Sequence, residues 1–490
     1  MKKKISALLA VLLLIVCVVS ACSGADNGTQ KGSDTPGTTA PAEQTTQDAG
    51  SKEPVAPAEE GYDGSAVTIK FYHTMGQNLS TVLDEYLAEF NKLYPNITVE
   101  WSQVGSYNDV RDQIKTEITV GNQPNLAYCY PDHVALYNKA AAVQTLDEFI
   151  TSKAEVKRAD GTTEIMGLTD EQIADFIEGY YNEGRAFGDG LMYTLPFSKS
   201  TEVMYYNKTF FDQNGLTVPK TWDDLYEVGK KIKAIDPDST PLGYDSSANW
   251  FITLCEQYGS DYTSATGDHY LFDNETNRAF AEKLNGWYRE GILTTQKLYG
   301  NYTSNMFKEL KSYISIGSSA GATYQRPDKA DGKYPFEVGI APIPQIDPSN
   351  PKAISQGPSI CIFKKDNMQE VYASWLLLKY LTTSVPFQAD FSRVSGYIPV
   401  IRSVDQDEIY SKFLGSADGG DYISALSTKV ALEQEKAYFV SPAFVGSSVA
   451  RDQAEELLNK CLGFTEDNGS IADQIKSAFE DAVEECEYQN

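Results

Sequence analysis

The stretch Gly317-Ser318-Ser319-Ala320-Gly321 is the one motif in this sequence that argues for catalysis. It matches G-x-S-x-G and follows an apolar run, Tyr313 to Ile316, that reads as a strand, which is where a hydrolase presents a serine on a sharp turn. Such a serine needs a histidine to take its proton, and in that fold the histidine comes later in the chain. The histidines here are His73, His133 and His269, all before Ser319. Small residues after a strand equally suit a loop that comes close to a ligand. No H-E-x-x-H and no G-x-x-x-x-G-K-[ST] occurs, which removes the simplest zinc-protease and phosphate-loop readings, and no metal or cofactor is expected. A surface glycoside hydrolase needs two carboxylates about 5 to 10 Å apart, and 68 Asp and Glu leave that reading open.

A second reactive group is the thiol of Cys22. Lys2-Lys3-Lys4 precede an apolar run from Ile5 to Ser20, the layout of a secretory signal peptide over residues 1–21. The run is shorter than the 18 or so residues of a membrane-spanning helix. It closes on Val19-Ser20-Ala21-Cys22, which resembles the lipobox, where small residues precede a cysteine that is lipidated on sulfur and becomes the new N-terminus. One acyl chain binds a membrane marginally and two or more hold firmly, so a modified Cys22 stays on the outer face of a Gram-positive-type cell membrane. Past Cys22, residues 23–65 are mostly Gly, Ser, Thr, Pro, Ala, Gln and acidic residues, with Val55 and Tyr62 the only sizeable apolar or aromatic side chains. That composition cannot offset its ordering entropy and reads as a tether of about 42 residues, with a root-mean-square reach of ~35 Å.

The rest of the chain supplies the elements that must position any site. Val67 to Tyr72 reads as a strand, Ser80 to Leu93 as a helix stopped by Pro95, Ile97 to Trp101 as a strand, Tyr107 to Val120 as a helix and Leu126 to Tyr130 as a strand. Thr169 with Gln172, and Thr221 with Asp224, have capping-box spacing. Strands alternating with amphipathic helices predict an α/β fold of mostly parallel sheets covered on both faces. Leu191 to Asn207 and Glu337 to Ile346 break the alternation and suit strands that pass between two lobes. The helix Met368 to Thr382 is apolar on most sides and predicts burial, Trp375 included; Trp222, just after a cap, is also assigned to structure. About 425 residues beyond the tether exceed a single core.

Charge narrows the partners. The net charge is −27, and removing Lys2, Lys3 and Lys4 would take it to −30. Duplex binding rests on neutralising phosphates with basic side chains, so no nucleic acid is expected. Beyond Cys22 the cysteines are Cys129, Cys255, Cys361, Cys461 and Cys486, with no C-x-x-C pair; a disulfide framework is not indicated, and Cys461 with Cys486 is the only pairing considered.

From Val67 onward the order of segments resembles the extracellular solute-binding proteins of ABC sugar importers, the group that includes maltose-binding protein. The residues that carry this are Phe90-Asn91-Lys92-Leu93-Tyr94-Pro95-Asn96-Ile97, Gly121-Asn122-Gln123-Pro124-Asn125, Leu195 through Glu202 with Tyr205-Tyr206-Asn207-Lys208, then Gly215-Leu216, Pro219-Lys220-Thr221-Trp222, Val338 to Pro344 and Ser395 to Val400. The family usually has an acidic residue where Asn125 stands. The resemblance implies two lobes joined by crossing strands as a hinge, here 66–197 with 344–400 and 198–343 with 401–490. It also implies a ligand cleft between them, no chemistry on the ligand, a monomer, and the membrane subunits of an ABC importer as partner.

Sugars present apolar ring faces and a rim of hydroxyls, so a receptor needs aromatic platforms and oriented polar groups. Ligands of open α/β sheets lie beyond the carboxyl ends of strands. That rule selects His73 and Thr74, Tyr130 and Asp132, and Ser198, Ser200 and Glu202 at the first crossing. Asp245, Trp250, Ser318, Ser319 and Tyr324 join them from the second lobe, and Gln356, Gly357 and Tyr397 from the late crossings. His133 reads as loop. The expected ligand is a mono- or oligosaccharide. The alternative is glycerol 3-phosphate or another phosphorylated solute, with Ser318, Ser319 and Arg326 as an anion site.

Overall fold

The computed structural model describes residues 56–416 and 422–489. The expected signal peptide, Cys22 and the tether through residue 55 lie outside the described residues. Residues 56–65, expected as the last part of the tether, instead pack on the body. The Ala58 amide donates to the Glu148 carbonyl at 2.8 Å, the Ala58 carbonyl accepts from Ser152 Oγ at 2.7 Å, and Tyr62 is buried edge-on against Tyr94. Tyr62 is the only aromatic residue in that stretch, and burying a ring of this size stabilises by about 2 kcal/mol, enough to hold the backbone on either side.

Among the described residues, fourteen strands follow in chain order: β1 Val67–His73, β2 Ile97–Gln103, β3 Leu126–Cys129, β4 Glu155–Lys157, β5 Thr163–Ile165, β6 Thr194–Pro196, β7 Ser200–Asn207, β8 Leu242–Tyr244, β9 Leu293–Thr295, β10 Ile314–Ser318, β11 Val338–Pro342, β12 Ala353–Gln356, β13 Ser359–Ile362 and β14 Tyr438–Phe439. β4 and β5 make a small hairpin. The others form two sheets, β2-β1-β3-β13-β6 and β14-β12-β7-β10-β8-β9, with β11 also on β7. Each sheet grows from a parallel run, β2-β1-β3 in the first and β10-β8-β9 in the second, continued by antiparallel pairings of β13 on β3 and β6 on β13 in the first and of β7 on β10 and β12 on β7 in the second. This is the expected two-lobed α/β architecture.

Local signals placed the helices. Gln77–Leu93 joins β1 to β2 and ends before Pro95, and Tyr107–Ile118 turns Val110 and Ile114 inward. Both expected capping boxes close, Thr169 with Gln172 and Thr221 with Asp224, each contributing about 1 kcal/mol. Met368–Thr383 is buried nearly all round under the first sheet, where Trp375 Nε1 donates to the Met166 carbonyl at 2.7 Å. Trp222 is likewise core, its Nε1 on Gln257 at 2.7 Å. The second sheet is covered by Ser247–Tyr258 and Ser447–Leu462. Asn125 ties the first sheet to that buried helix, accepting from the Lys70 amide and donating to Glu370. Cys461 and Cys486 are free buried thiols, so the pairing considered for them is not made.

The passages between sheets are short. The chain leaves the first sheet at Pro196 and enters the second at Ser200, and it returns between Gln356 and Ser359. Gln356 lies opposite Ser200, and Ser359 opposite Pro196. The expected crossing at Glu337 to Ile346 is not one: β11 stays in the second sheet on β7. A strand paired inside one sheet carries the same apolar, proline-bounded signature as a strand that crosses. At the return passage Gly357 has φ +95°, and a Cβ there would sit 2.5 Å from the Ser198 carbonyl, so no other residue fits. Beneath it Lys199 Nζ reaches Glu183 at 2.5 Å, the Gly357 carbonyl at 3.2 Å and Ser359 Oγ at 3.0 Å, with both ionic side chains almost wholly buried.

Candidate functional site

A cavity of about 640 Å³ lies at the carboxyl ends of β8 and β10. Asp245, which follows β8, and Ser318, Ala320 and Gly321, which end and follow β10, form one wall; Leu79, Ser395 and Tyr397 face them from segments packed near the first sheet. Tyr302 and Tyr324 stand at its mouth, 60% and 69% exposed. The size falls within the range of small-molecule sites. Asp245 is held by the amide and hydroxyl of Thr303 at 2.9 and 2.7 Å, and burial still pushes its carboxyl above the ordinary carboxylate range. A Cβ on Gly317 would meet Asp245 Oδ2 at 2.7 Å, which explains the glycine that opens the motif.

A smaller pocket of about 60 Å³ is lined by Tyr130, Asp132, Gln356 and Arg451, among others. Tyr397 of the large cavity and Tyr130 of the small one are joined through Tyr107. The Tyr107 and Tyr397 hydroxyls are 3.4 Å apart, the Tyr107 and Tyr130 rings 4.8 Å apart, and Tyr128 stacks behind Tyr107. Next to this aromatic band runs a polar chain. Arg451 donates to Asn249 Oδ1, and Asn249 Nδ2 donates to Gln356 at 2.7 Å and to Glu202 at 3.2 Å. Glu202 also accepts from the Tyr244 hydroxyl. Burial pushes the Glu202 carboxyl up to about 7, although Tyr244, Asn249 and the Arg451 charge pull the other way. Asp132 behaves differently: burial would raise it, yet His133, Arg451 and a 2.9 Å hydrogen bond from Ser448 together keep it below the ordinary range.

Of the residues expected from sequence, Tyr130, Asp132, Asp245, Ser318, Tyr324, Gln356 and Tyr397 line one cavity or the other, and Glu202 lies in the polar chain. The others sit elsewhere. His73 is buried among Phe71, Trp101 and Tyr128; Nδ1 accepts from the Met75 amide and burial pushes the ring down to about 4, so it stays neutral. Thr74 follows it, part-buried. Ser198 and Ser200 are buried in the crossing, and Gly357 makes its return turn. Trp250 is core: its indole stacks on Tyr244 at 4.5 Å and leans on Trp222, so it supports the partner of Glu202 without facing a cavity. Ser319 is buried with Oγ on the Thr201 amide, and among the described residues no hydrogen bond joins Ser318 or Ser319 to a histidine. His133 is helical, in Pro131–Asn138, and buried. Sequence reasoning missed Tyr107, Tyr244, Asn249 and Arg451. Asn249 lies in the first turn of Ser247–Tyr258, and Arg451 lies in Ser447–Leu462, a helix that begins well past the end of β14 and also carries Lys460.

Two sheets joined by short crossings, with cavities that both sides line, define a two-lobed binding protein. The chain belongs to the family of bacterial extracellular solute-binding proteins, which matches residues 85–413 and consists of substrate-binding receptors. It is 24% identical over 360 residues to the sn-glycerol-3-phosphate-binding periplasmic protein UgpB of Rhizobium meliloti (strain 1021), covering 71% of this chain and 79% of that one. Among solved structures it is similar to UgpB from Mycobacterium tuberculosis in complex with glycerophosphocholine, with TM-score 0.68 and 17% identity over 87% of this chain and 100% of that one. It is also similar to the cyclic alpha-maltosyl-1,6-maltose binding protein from Arthrobacter globiformis, with TM-score 0.66 and 19% identity over 87% and 100%. These structural likenesses are of fold.

Proposed function

We propose that this receptor captures a neutral carbohydrate between its lobes, delivers it to the membrane subunits of an ABC importer and performs no chemistry on it. The observation that carries this reading is the band of Tyr107, Tyr130 and Tyr397 next to the Glu202–Asn249–Gln356 chain, which offers ring faces and hydroxyl partners side by side. A ligand touching both lobes binds the closed form better and shifts the population toward it.

The names of the curated relatives favour a second reading, a glycerol phosphate ester. Lys308 is the only basic side chain among the residues lining the large cavity, and Asp245 shares that cavity. Arg326, expected with Ser318 and Ser319 in an anion site, lies over the Tyr334 ring instead, 5.0 Å from its centre. Melting of the full chain with a panel of saccharides and with sn-glycerol 3-phosphate separates the two. A ligand at a hundred times its dissociation constant stabilises by about 2.7 kcal/mol, so one saccharide class should raise the melting temperature and glycerol 3-phosphate should not. A rise with the phosphate ester alone would sink the carbohydrate reading. Release of product from a bound glycoside would sink the receptor reading in favour of a hydrolase.

The anchor at Cys22 rests on the lipobox-like sequence and belongs to the same proposal. Cys22→Ala should shed the protein into the medium, and continued membrane retention would remove the anchor. The reading includes action as a monomer.

A further inference from the structure

The small pocket has a feature that neither the aromatic band nor the large cavity accounts for. Hydroxyls of Tyr262, Thr263, Ser355 and Ser441, from three separate segments, line it, and each oxygen is buried with no hydrogen-bond partner among the described residues. Tyr262 and Ser355 are 6% and 9% exposed. A buried hydroxyl without a partner is expensive, so four lining one small space point to an occupant that bonds them. The charges there balance. Arg451 faces Asp132, while Glu183 is already paired with Lys199. A neutral occupant therefore fits better than an ion. Ile252, Ile354, Val440 and Pro442 supply apolar walls between the hydroxyls.

Size sets the class. A space of about 60 Å³ compares with roughly 10–15 Å³ for one water. That leaves room for a few waters or for one ring with its hydroxyls. Tyr130 forms one wall, and through Tyr107 it leads to Tyr397 and the large cavity.

Resting on the carbohydrate reading above, we propose that this pocket seats the terminal ring of a neutral oligosaccharide, so that the receptor reads chain ends and takes ligands of two or more units. The terminal ring bonds the four hydroxyls, Gln356 and Arg451. The following units pass the tyrosine band into the large cavity, where Tyr302 and Tyr324 meet the part that protrudes.

The test uses the full chain and calorimetric titration with neutral oligosaccharides of two to four units and with the monosaccharides that compose them. The best oligosaccharide should bind at least tenfold more tightly than its monosaccharide. In Tyr262→Phe/Thr263→Val its dissociation constant should rise tenfold or more while the melting temperature of the free protein stays level or rises, because the replaced hydroxyls have no partner in the fold. Ser441→Ala, a smaller change, should show the same direction and serves if the double variant fails to fold. Wild-type affinity in these variants would mean that the pocket holds water only, and the proposal falls while the carbohydrate reading stands. A monosaccharide binding as tightly as any longer chain overturns the reading of chain ends. If wild-type protein binds no saccharide and does bind glycerol 3-phosphate, the carbohydrate reading itself falls.

Discussion

Lys199→Met should lower folding stability by about 3–5 kcal/mol, seen as a lower urea midpoint with an unchanged slope. The ammonium is fully buried and holds Glu183, the Gly357 carbonyl and Ser359 together where the chain crosses between the sheets. Without it Glu183 keeps the Ser359 hydroxyl at 3.1 Å and no counter-charge. A buried carboxylate left without its partner ion is costly to keep out of water. Replacing Glu183 with leucine in the same chain should recover much of the loss, since removing both members of a buried pair is far milder than removing one. A loss below about 1 kcal/mol in Lys199→Met would show that Glu183 finds water, and that the crossing is looser than its geometry implies.

Glu202→Gln should change the pH dependence of stability. The carboxyl of Glu202 is raised from 4.5 to about 7 in the folded chain, so folding favours its protonated form. Its contribution is fully present below pH 4.5, declines as pH rises through the interval, and is lost above about 7. The span corresponds to something on the order of 3 kcal/mol. Glutamine keeps the shape and the acceptor oxygen for Tyr244 but does not ionise. The difference between variant and wild type should therefore be small at pH 4.5 and should favour the variant by pH 8. Denaturant titrations at both values read it directly, and equal differences at the two would show that Glu202 does not titrate in this range. Taking the difference matters because Asp132 and Asp245 are shifted in opposite directions and cancel only when common to both proteins.

Much of the fold was legible because its signals are local. The strand-helix alternation from Val67 to Tyr130, the caps at Thr169 and Thr221, and the all-round apolar helix at Met368 each follow from neighbours within a few residues. The return crossing was legible only in part: Gln356 and Gly357 fall at it as expected, but the strand expected to make it, Glu337 to Ile346, stays in the second sheet. What marks the crossing is the positive φ of Gly357 against the Ser198 carbonyl, and one glycine in sequence announces neither. The site divides the same way. Residues at or just past strand ends, such as Ser318, Asp245 and Tyr130, reach cavities because a strand's end fixes where these residues stand. Trp250 lies in the first turns of a helix, and its direction depends on a helical phase that spacing from the strand does not give. Arg451 depends wholly on how Ser447–Leu462 packs against Ser247–Tyr258, a tertiary fact.

The buried thiols have a practical consequence. Cys129 and Cys361 lie in the core around the first sheet, and Cys255, Cys461 and Cys486 in the core of the second; all five are free. A chain built this way needs no oxidant or isomerase to mature these five positions. It also carries a stopwatch in each half: an alkylating reagent reaches a thiol only when that half opens. Peptide mapping of the labelled sites would then time the opening of the two halves separately, with and without a bound solute.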